Sequence, residues 1–304
     1  MTTIFILALG CMFLNETGSN NNYDLQGKTY TISDGDVSLF DGREIKNGTL
    51  VISEGSYLLR VEKEGEACLK IGDNMELVID GALQLAPNDF KSCDMIRVVG
   101  SNVKIHGKGS ITGDKLAHLG SEGEWGIGIR LNGSNNVTVS GLTIADCWGD
   151  CIYIGGDSKN IEISNCVLRG SRRQGISITK ADGVTISNCR IANISGTNPQ
   201  YAIDIEPNKR CVVDNVLIEN VTVTGCEGGF RAIIGKEEFG NARIGKVEIR
   251  NCNVMAKSRQ TIFLGGCEQG VIEDCTIETR KGEKPILLRK TGDVSEKNNK
   301  VIYK

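Results

Sequence analysis

Carboxylates, guanidinium groups and aromatic rings crowd into one short part of this 304-residue chain, between Glu124 and Glu206, with Arg231 a little beyond. Asp204 and Glu206 stand two apart, so on a strand they share a face about 6–7 Å from one another. That separation suits a loosely held acid/base pair of the inverting type, or joint coordination of one hard cation such as Ca²⁺. Asp150 is central enough to serve as a further acid, and Arg173 and Arg172 as cations that neutralise substrate acids or pair with Asp150 and Asp204. Trp125, Trp148, Tyr153 and Tyr201 offer rings that stack on apolar sugar faces, while Glu124, Arg130, Gln174 and Arg231 add hydrogen-bonding and charged groups. Such a set fits a hydroxyl-rich polymer, an acidic one above all.

These residues need elements that hold them on one surface. Four phrases carry them: EWGIGIRL at Glu124–Leu131, GDCIYIGG at Gly149–Gly156, RRQGISIT at Arg172–Thr179 and YAIDIEPN at Tyr201–Asn208. Each contains an apolar pair in i, i+2 spacing, the mark of a strand with one buried face. Taking the first member as a marker gives Ile96, Ile127, Ile152, Ile176, Ile203, Ala232, Ile262 and Ile286, spaced roughly 24 to 31 residues apart. A second phrase recurs between the markers, as in NVTVSGLTI, NIEISNCVL, GVTISNCRI and KVEIRNCNV. Its sharp corner stacks Asn165, Asn188, Asn220, Asn251 and Asp274, beside an apolar column of Leu142, Cys166, Cys189, Val221, Cys252 and Cys275.

Three short strands per turn, with like residue stacked on like, predict an all-β chain folded as a single right-handed parallel β-helix of about 8–10 coils. Each coil lies about 4.8 Å above the last, and the corner asparagines are placed to form a hydrogen-bonded ladder. The apolar pair points inward, so the residue between its members and the one after it point out. The candidate residues then share one face over about 15–20 Å. Later coils place Ile233, Phe263 and Leu287 outward, without the same concentration of chemistry.

Composition agrees with many strands and tight turns: 38 Gly and only 4 Pro, with few aromatics outside the cluster. A net charge of −3 and the absence of a basic block argue against a nucleic-acid partner. Twelve Cys without zinc-like spacing read as buried free thiols. His106 and His118 fall outside the cluster in the sequence, so histidine chemistry is not expected. The β-helix is expected over residues 23–304, with irregular first coils over Tyr23–Val51 as an N-terminal cap and the charged stretch Lys290–Lys304 capping or fraying. Residues 1–22 read as a signal-like or flexible N-terminus, because Thr3–Leu14 carries an apolar run too short to span a bilayer as a helix and lacks a basic leader. An extracellular or envelope location, no transmembrane segment, and a monomer or homotrimer are the matching expectations.

The repeat, over roughly Leu50–Thr279, resembles the pectate-lyase-like superfamily of right-handed β-helices. Within it, GDCIYI is similar to the Asp-Asp phrase of polygalacturonases and RQGISI to their Gly-His-Gly phrase. Asp150 matches the second acid of the pair, but Gly149 replaces the first and Gln174 replaces the histidine. Trp125 stands where another family carboxylate would be, and Ala202 and Asp204 replace a family Arg and Lys. The EWG, RRQG and DIEPN phrases more closely resemble uncharacterised bacterial β-helix proteins. The resemblance implies a polysaccharide-active enzyme cleaving an acidic glycan. Hydrolysis would use Asp150 with Asp204 or Glu206; β-elimination would use Arg173 or Tyr153 as base, with Arg or Ca²⁺ on a uronate. A sugar epimerase would share the elimination chemistry. The alternative is a non-catalytic glycan-binding or adhesin solenoid of the envelope or phage-spike type.

Overall fold

The structure is a computed structural model and describes residues 22–33, 42–234, 240–257 and 260–304. The N-terminal apolar run lies outside the described residues. Those described form strands only, arranged in three parallel sheets of 11, 11 and 10 strands. Within each sheet, neighbouring strands come from successive turns of the chain, so the path is a right-handed parallel β-helix. Among the described residues no helix is long and apolar enough to cross a membrane.

Alternation within each strand fills the interior with stacked Ile, Leu and Val. In the first sheet one inward column runs Ile96, Ile129, Ile152, Ile176, Ile203, Phe230 and Ile262. Every member is buried. Removal of each such side chain from water contributes about 1.5–3 kcal/mol. Two of the expected markers sit one step off this column: Ile127 pairs with Asp94, and Ala232 pairs with Ile205 and Leu264. The strand Trp125–Asn132 carries three alternating apolar residues, Ile127, Ile129 and Leu131, so its pattern does not say which two stack with the next coil. A slip of two residues preserves the face, and the outward assignments survive it.

The corner column of Asn165, Asn188, Asn220, Asn251 and Asp274 has a different origin from the expected ladder. Each adopts a left-handed backbone, with φ between 53° and 56°. That conformation is costly for most residues, and Asn and Asp tolerate it best after Gly. The side-chain amide ladder instead runs through another corner, where Asn74 donates to Asn47, Asn102 to Asn74, Asn136 to Asn102 and Asn160 to Asn136, each at 3.1 Å. Beside the left-handed corner, the Cys column is buried and its thiols are free, Cys166 and Cys189 donating to the carbonyls of Ser164 and Ser187.

The ends are more regular than expected. Strands Tyr23–Asp24, Thr29–Ile32, Glu44–Lys46 and Gly48–Ile52 already belong to the sheets, within the segment expected to cap them. At the other end, Asp293–Lys297 and Lys300–Tyr303 extend the second and third sheets.

Candidate functional site on the first sheet

The outward column of the first sheet reads Lys70, Arg97, Arg130, Tyr153, Ser177, Asp204, Arg231 and Phe263, one residue per coil. At about 4.8 Å per step, the part from Arg130 to Arg231 covers roughly 20 Å. A cavity of about 270 Å³ opens over its middle, lined by Trp125, Tyr153, Arg173, Ser177, Thr179, Asp204, Glu206 and Asn208. The sequence places all of these on this face except Asn208: Tyr153, Ser177, Thr179, Asp204 and Glu206 by alternation, and Trp125 and Arg173 as rim residues at the incoming turn. Asn208 follows Pro207 in the turn after the strand Tyr201–Ile205.

Two buried carboxylates organise the floor. Asp150 is fully buried at the incoming end of its strand; it accepts from Ser177 Oγ at 2.7 Å and from Arg173 Nη1 at 3.1 Å. Asp204, 2 % exposed, accepts from Gln174 Nε2 at 2.6 Å and twice from Arg231 at 2.7 Å. Burial pushes both carboxyls up, and the paired guanidinium pulls each back down. Gln174 is itself buried, and its Oε1 accepts from the Tyr201 backbone N–H at 2.8 Å. These groups face each other rather than solvent, although alternation predicted an open polar face. Four stacked coils supply enough mutual hydrogen bonds to bury them.

Glu206 and Glu124 are the open acids, with 35 % and 33 % of their side chains exposed. Glu206 accepts from Arg231 Nη2 at 2.9 Å, and Glu124 lies 3.6 Å from Arg173 Nε. Burial, and then the negative charge of Asp204, push the Glu206 carboxyl up, with Arg231 opposing. Asp204 and Glu206 thus converge on one guanidinium, that of Arg231. Among the described residues no group of three or more His, Cys, Asp or Glu is placed to hold a metal ion.

The four aromatic candidates divide sharply. Trp125 is open, at 46 % exposure on the cavity wall. Tyr153 lines the cavity, its hydroxyl 2.8 Å from Thr179 Oγ1 and its ring under the Arg130 guanidinium at 4.5 Å. Tyr201 is buried, with Arg231 5.0 Å from its ring. Trp148 is stacked with His118 at 3.9 Å, has Arg172 3.8 Å from its ring, and donates to the Glu122 carbonyl. His118 therefore belongs beside the cluster, against the expectation from its sequence position. Its Nδ1 meets Asp114 Oδ2 at 2.8 Å, and both side chains are buried. Segment 113–124 is strapped down by this stack, by Arg172 Nη1 donating to the Gly123 carbonyl, and by Lys115 Nζ donating to the Gly170 and Ser195 carbonyls. It forms a wall leading into Trp125.

Sequence reasoning missed Asp94, Arg97 and Lys70. Asp94 is fully buried between Arg97 and Arg130, accepting from Arg130 Nε at 2.9 Å. The signal was present in the outward column itself, which continues towards the N-terminus past the last residue assigned to the face.

Comparison with known proteins agrees with this architecture. A family model described as a right handed beta helix region matches residues 127–233. The SPbeta prophage-derived uncharacterized protein YorA of Bacillus subtilis (strain 168) is 31 % identical over 188 residues, covering 54 % of this chain and 32 % of that protein. The chain spans about a third of the length of the curated relatives it matches. Among solved structures, the Azotobacter vinelandii mannuronan C-5 epimerase AlgE6 A-module superposes with a TM-score of 0.70 at 14 % identity, covering 83 % of this chain and 67 % of that one. A rhamnogalacturonan lyase gives 0.60 at 14 % identity, covering 88 % and 87 %. The tailspike protein of E. coli bacteriophage HK620, in complex with a pentasaccharide, gives 0.56 at 14 % identity, covering 84 % and 51 %. At such identities the likeness is one of fold. The chain is a right-handed parallel β-helix protein.

Proposed function

We propose that the protein is a polysaccharide-active enzyme that cleaves an acidic glycan at the cavity on the first sheet. The observation that supports this best is the cavity lining: an open Trp125, the half-buried Glu206 and Arg173 around one volume of about 270 Å³. Glu206 is the proton-transfer group, because it reaches solvent and its raised carboxyl pKa lets it hold a proton at higher pH than a free glutamate. Glu124, the other open acid, is the second carboxylate. Asp150 and Asp204 act through Arg173 and Arg231, which they hold in place, and are positioning residues. This assignment favours hydrolysis over β-elimination with Arg173 as base. Its neighbours Asp150 and Glu124 raise the guanidinium pKa despite burial, which keeps the proton on. A polymeric substrate also fits an extracellular or envelope location.

A binding-only reading draws on one observation: both buried acids of the floor are already engaged by arginines. Incubation with acidic and neutral polysaccharides, with and without Ca²⁺, separates the two. New reducing ends without unsaturated-uronate absorbance are expected. That absorbance would replace hydrolysis by elimination, a changed sugar configuration without shortening would sink cleavage, and retention without product would leave a binding module.

A further inference from the structure

Three cations stand one above another on consecutive coils beside the cavity. Lys70 pairs in register with Arg97, Arg97 with Arg130, and Arg130 with the cavity residue Tyr153. Adjacent members are about one strand spacing apart, so their like charges repel. Among the described residues, the two arginines share a single carboxylate, Asp94, which answers only part of that charge. It is fully buried and takes Nε of both Arg97 and Arg130. Glu44, the next outward residue on the far side of Lys70, forms no ion pair with it.

The two arginines are fixed rather than loose. Arg97 also donates from Nη2 to the Gly65 carbonyl at 2.7 Å, and Arg130 packs over the Tyr153 ring at 4.5 Å. Their side chains are only 25 % and 17 % exposed. Arg130 uses its Nε alone on Asp94, which leaves its outer N–H edge for a planar, bidentate acceptor. Lys70 has no hydrogen bond or ion pair to any described residue.

We propose that Lys70, Arg97 and Arg130 form a subsite for an acidic substituent, carboxylate or sulfate, of the glycan strand that enters the cavity. The inference rests on the reading of this face as a glycan site and adds where the acidic group sits. Along the column the cations lie on the N-terminal side of Tyr153 and the acids Asp204 and Glu206 on the other. A bound strand is therefore anchored by its charge at one end and meets Glu206 three coils from Arg130 and five from Lys70.

The test measures binding of alginate, polygalacturonate and dextran sulfate against neutral dextran, by retention in affinity gels at low and high salt. Wild type, Lys70→Gln and Arg97→Gln are compared, with thermal unfolding as the check on folding. Stronger retention by an acidic polymer, lost in high salt and weakened roughly tenfold or more in each variant, is the expected result. Uronate and sulfate polymers distinguish the two acidic groups. If the variants retain acidic polymer as wild type does, the subsite is overturned while the cavity reading stands; if dextran is held equally well, the subsite and the acidic character of the substrate are both overturned. If wild type retains none of the polymers, both are overturned. Lys70→Gln removes no hydrogen bond or ion pair to a described residue, so it decides the matter should Arg97→Gln lower stability.

Discussion

Asp204 accepts two parallel hydrogen bonds from Arg231 one coil above, Nε to Oδ1 and Nη2 to Oδ2, both at 2.7 Å. With 2 % and 15 % of the two side chains exposed, the pair is an internal strut of the groove floor. Losing one partner leaves the other as an uncompensated buried charge. Arg231→Met is therefore expected to lower the unfolding free energy by about 3–5 kcal/mol. Adding Asp204→Asn should restore part of the loss. Urea unfolding measures both, and a cost for the single variant below about 1 kcal/mol would show that water reaches the pair.

Glu206 gives the site a pH signature. Its carboxyl is raised above the ordinary value by burial and by Asp204, with Arg231 opposing. The native protein then keeps a proton that the unfolded chain has already released. Stability from this group is complete below the ordinary glutamate range and is lost as pH rises through the raised value. Glu206→Gln has nothing to titrate there. Between about pH 4 and pH 7, wild type should lose stability relative to the variant. A difference that stays flat, or grows in favour of wild type, would contradict the raised carboxyl. In the wild-type activity profile, activity should fall as pH rises through the raised carboxyl value, and Glu206→Gln should lose activity across the whole range.

Trp125 should carry most of the ring contact with a glycan, since Trp148 is already stacked with His118 and Arg172. Trp125→Ala is expected to weaken oligosaccharide binding about tenfold or more and to remove any binding-induced change in tryptophan fluorescence. The chain has only two Trp, so the signal is easily assigned. A fluorescence response that persists in the variant would move the contact to Trp148.

Asn188 tests the left-handed corner. With φ at 54°, Asn188→Ala should cost about 1–2 kcal/mol in chemical unfolding, whereas Asn188→Gly should cost much less. Equal costs would instead indicate a side-chain hydrogen bond as the reason for Asn in this column.

The sequence announces the β-helix because repetition makes each weak signal recur. An Ile-x-Ile pair means little once, but coil after coil it defines three faces. It also locates the groove, since the chemistry between Glu124 and Glu206 stands out from the apolar Phe263 that follows in the column. Which acid meets solvent is a different kind of fact. Asp150 and Glu206 both flank an apolar pair, yet Asp150 is covered by Ser177 and Arg173, whose approach depends on neighbouring coils. His118 was misplaced for a related reason: a wall segment between strands brings it back onto Trp148, and no strand period describes such a path. The two displaced markers mark the same boundary, because a strand with three alternating apolar residues fits its neighbours in more than one register.

The outward column that joins Lys70 to Phe263 gives the groove a unit of construction. Every coil contributes one side chain at a constant rise, so inserting or deleting a whole coil changes the number of subsites while leaving the cross-section of the core alone. Loss of the coil that carries Tyr153 would bring Arg130 directly against Ser177 and shorten the distance from anchor to acid by a single rise. On the proposed reading of this face as a glycan site, selectivity for polymer length and charge spacing follows the number of turns, and can drift in whole steps while the interior continues to pack as before.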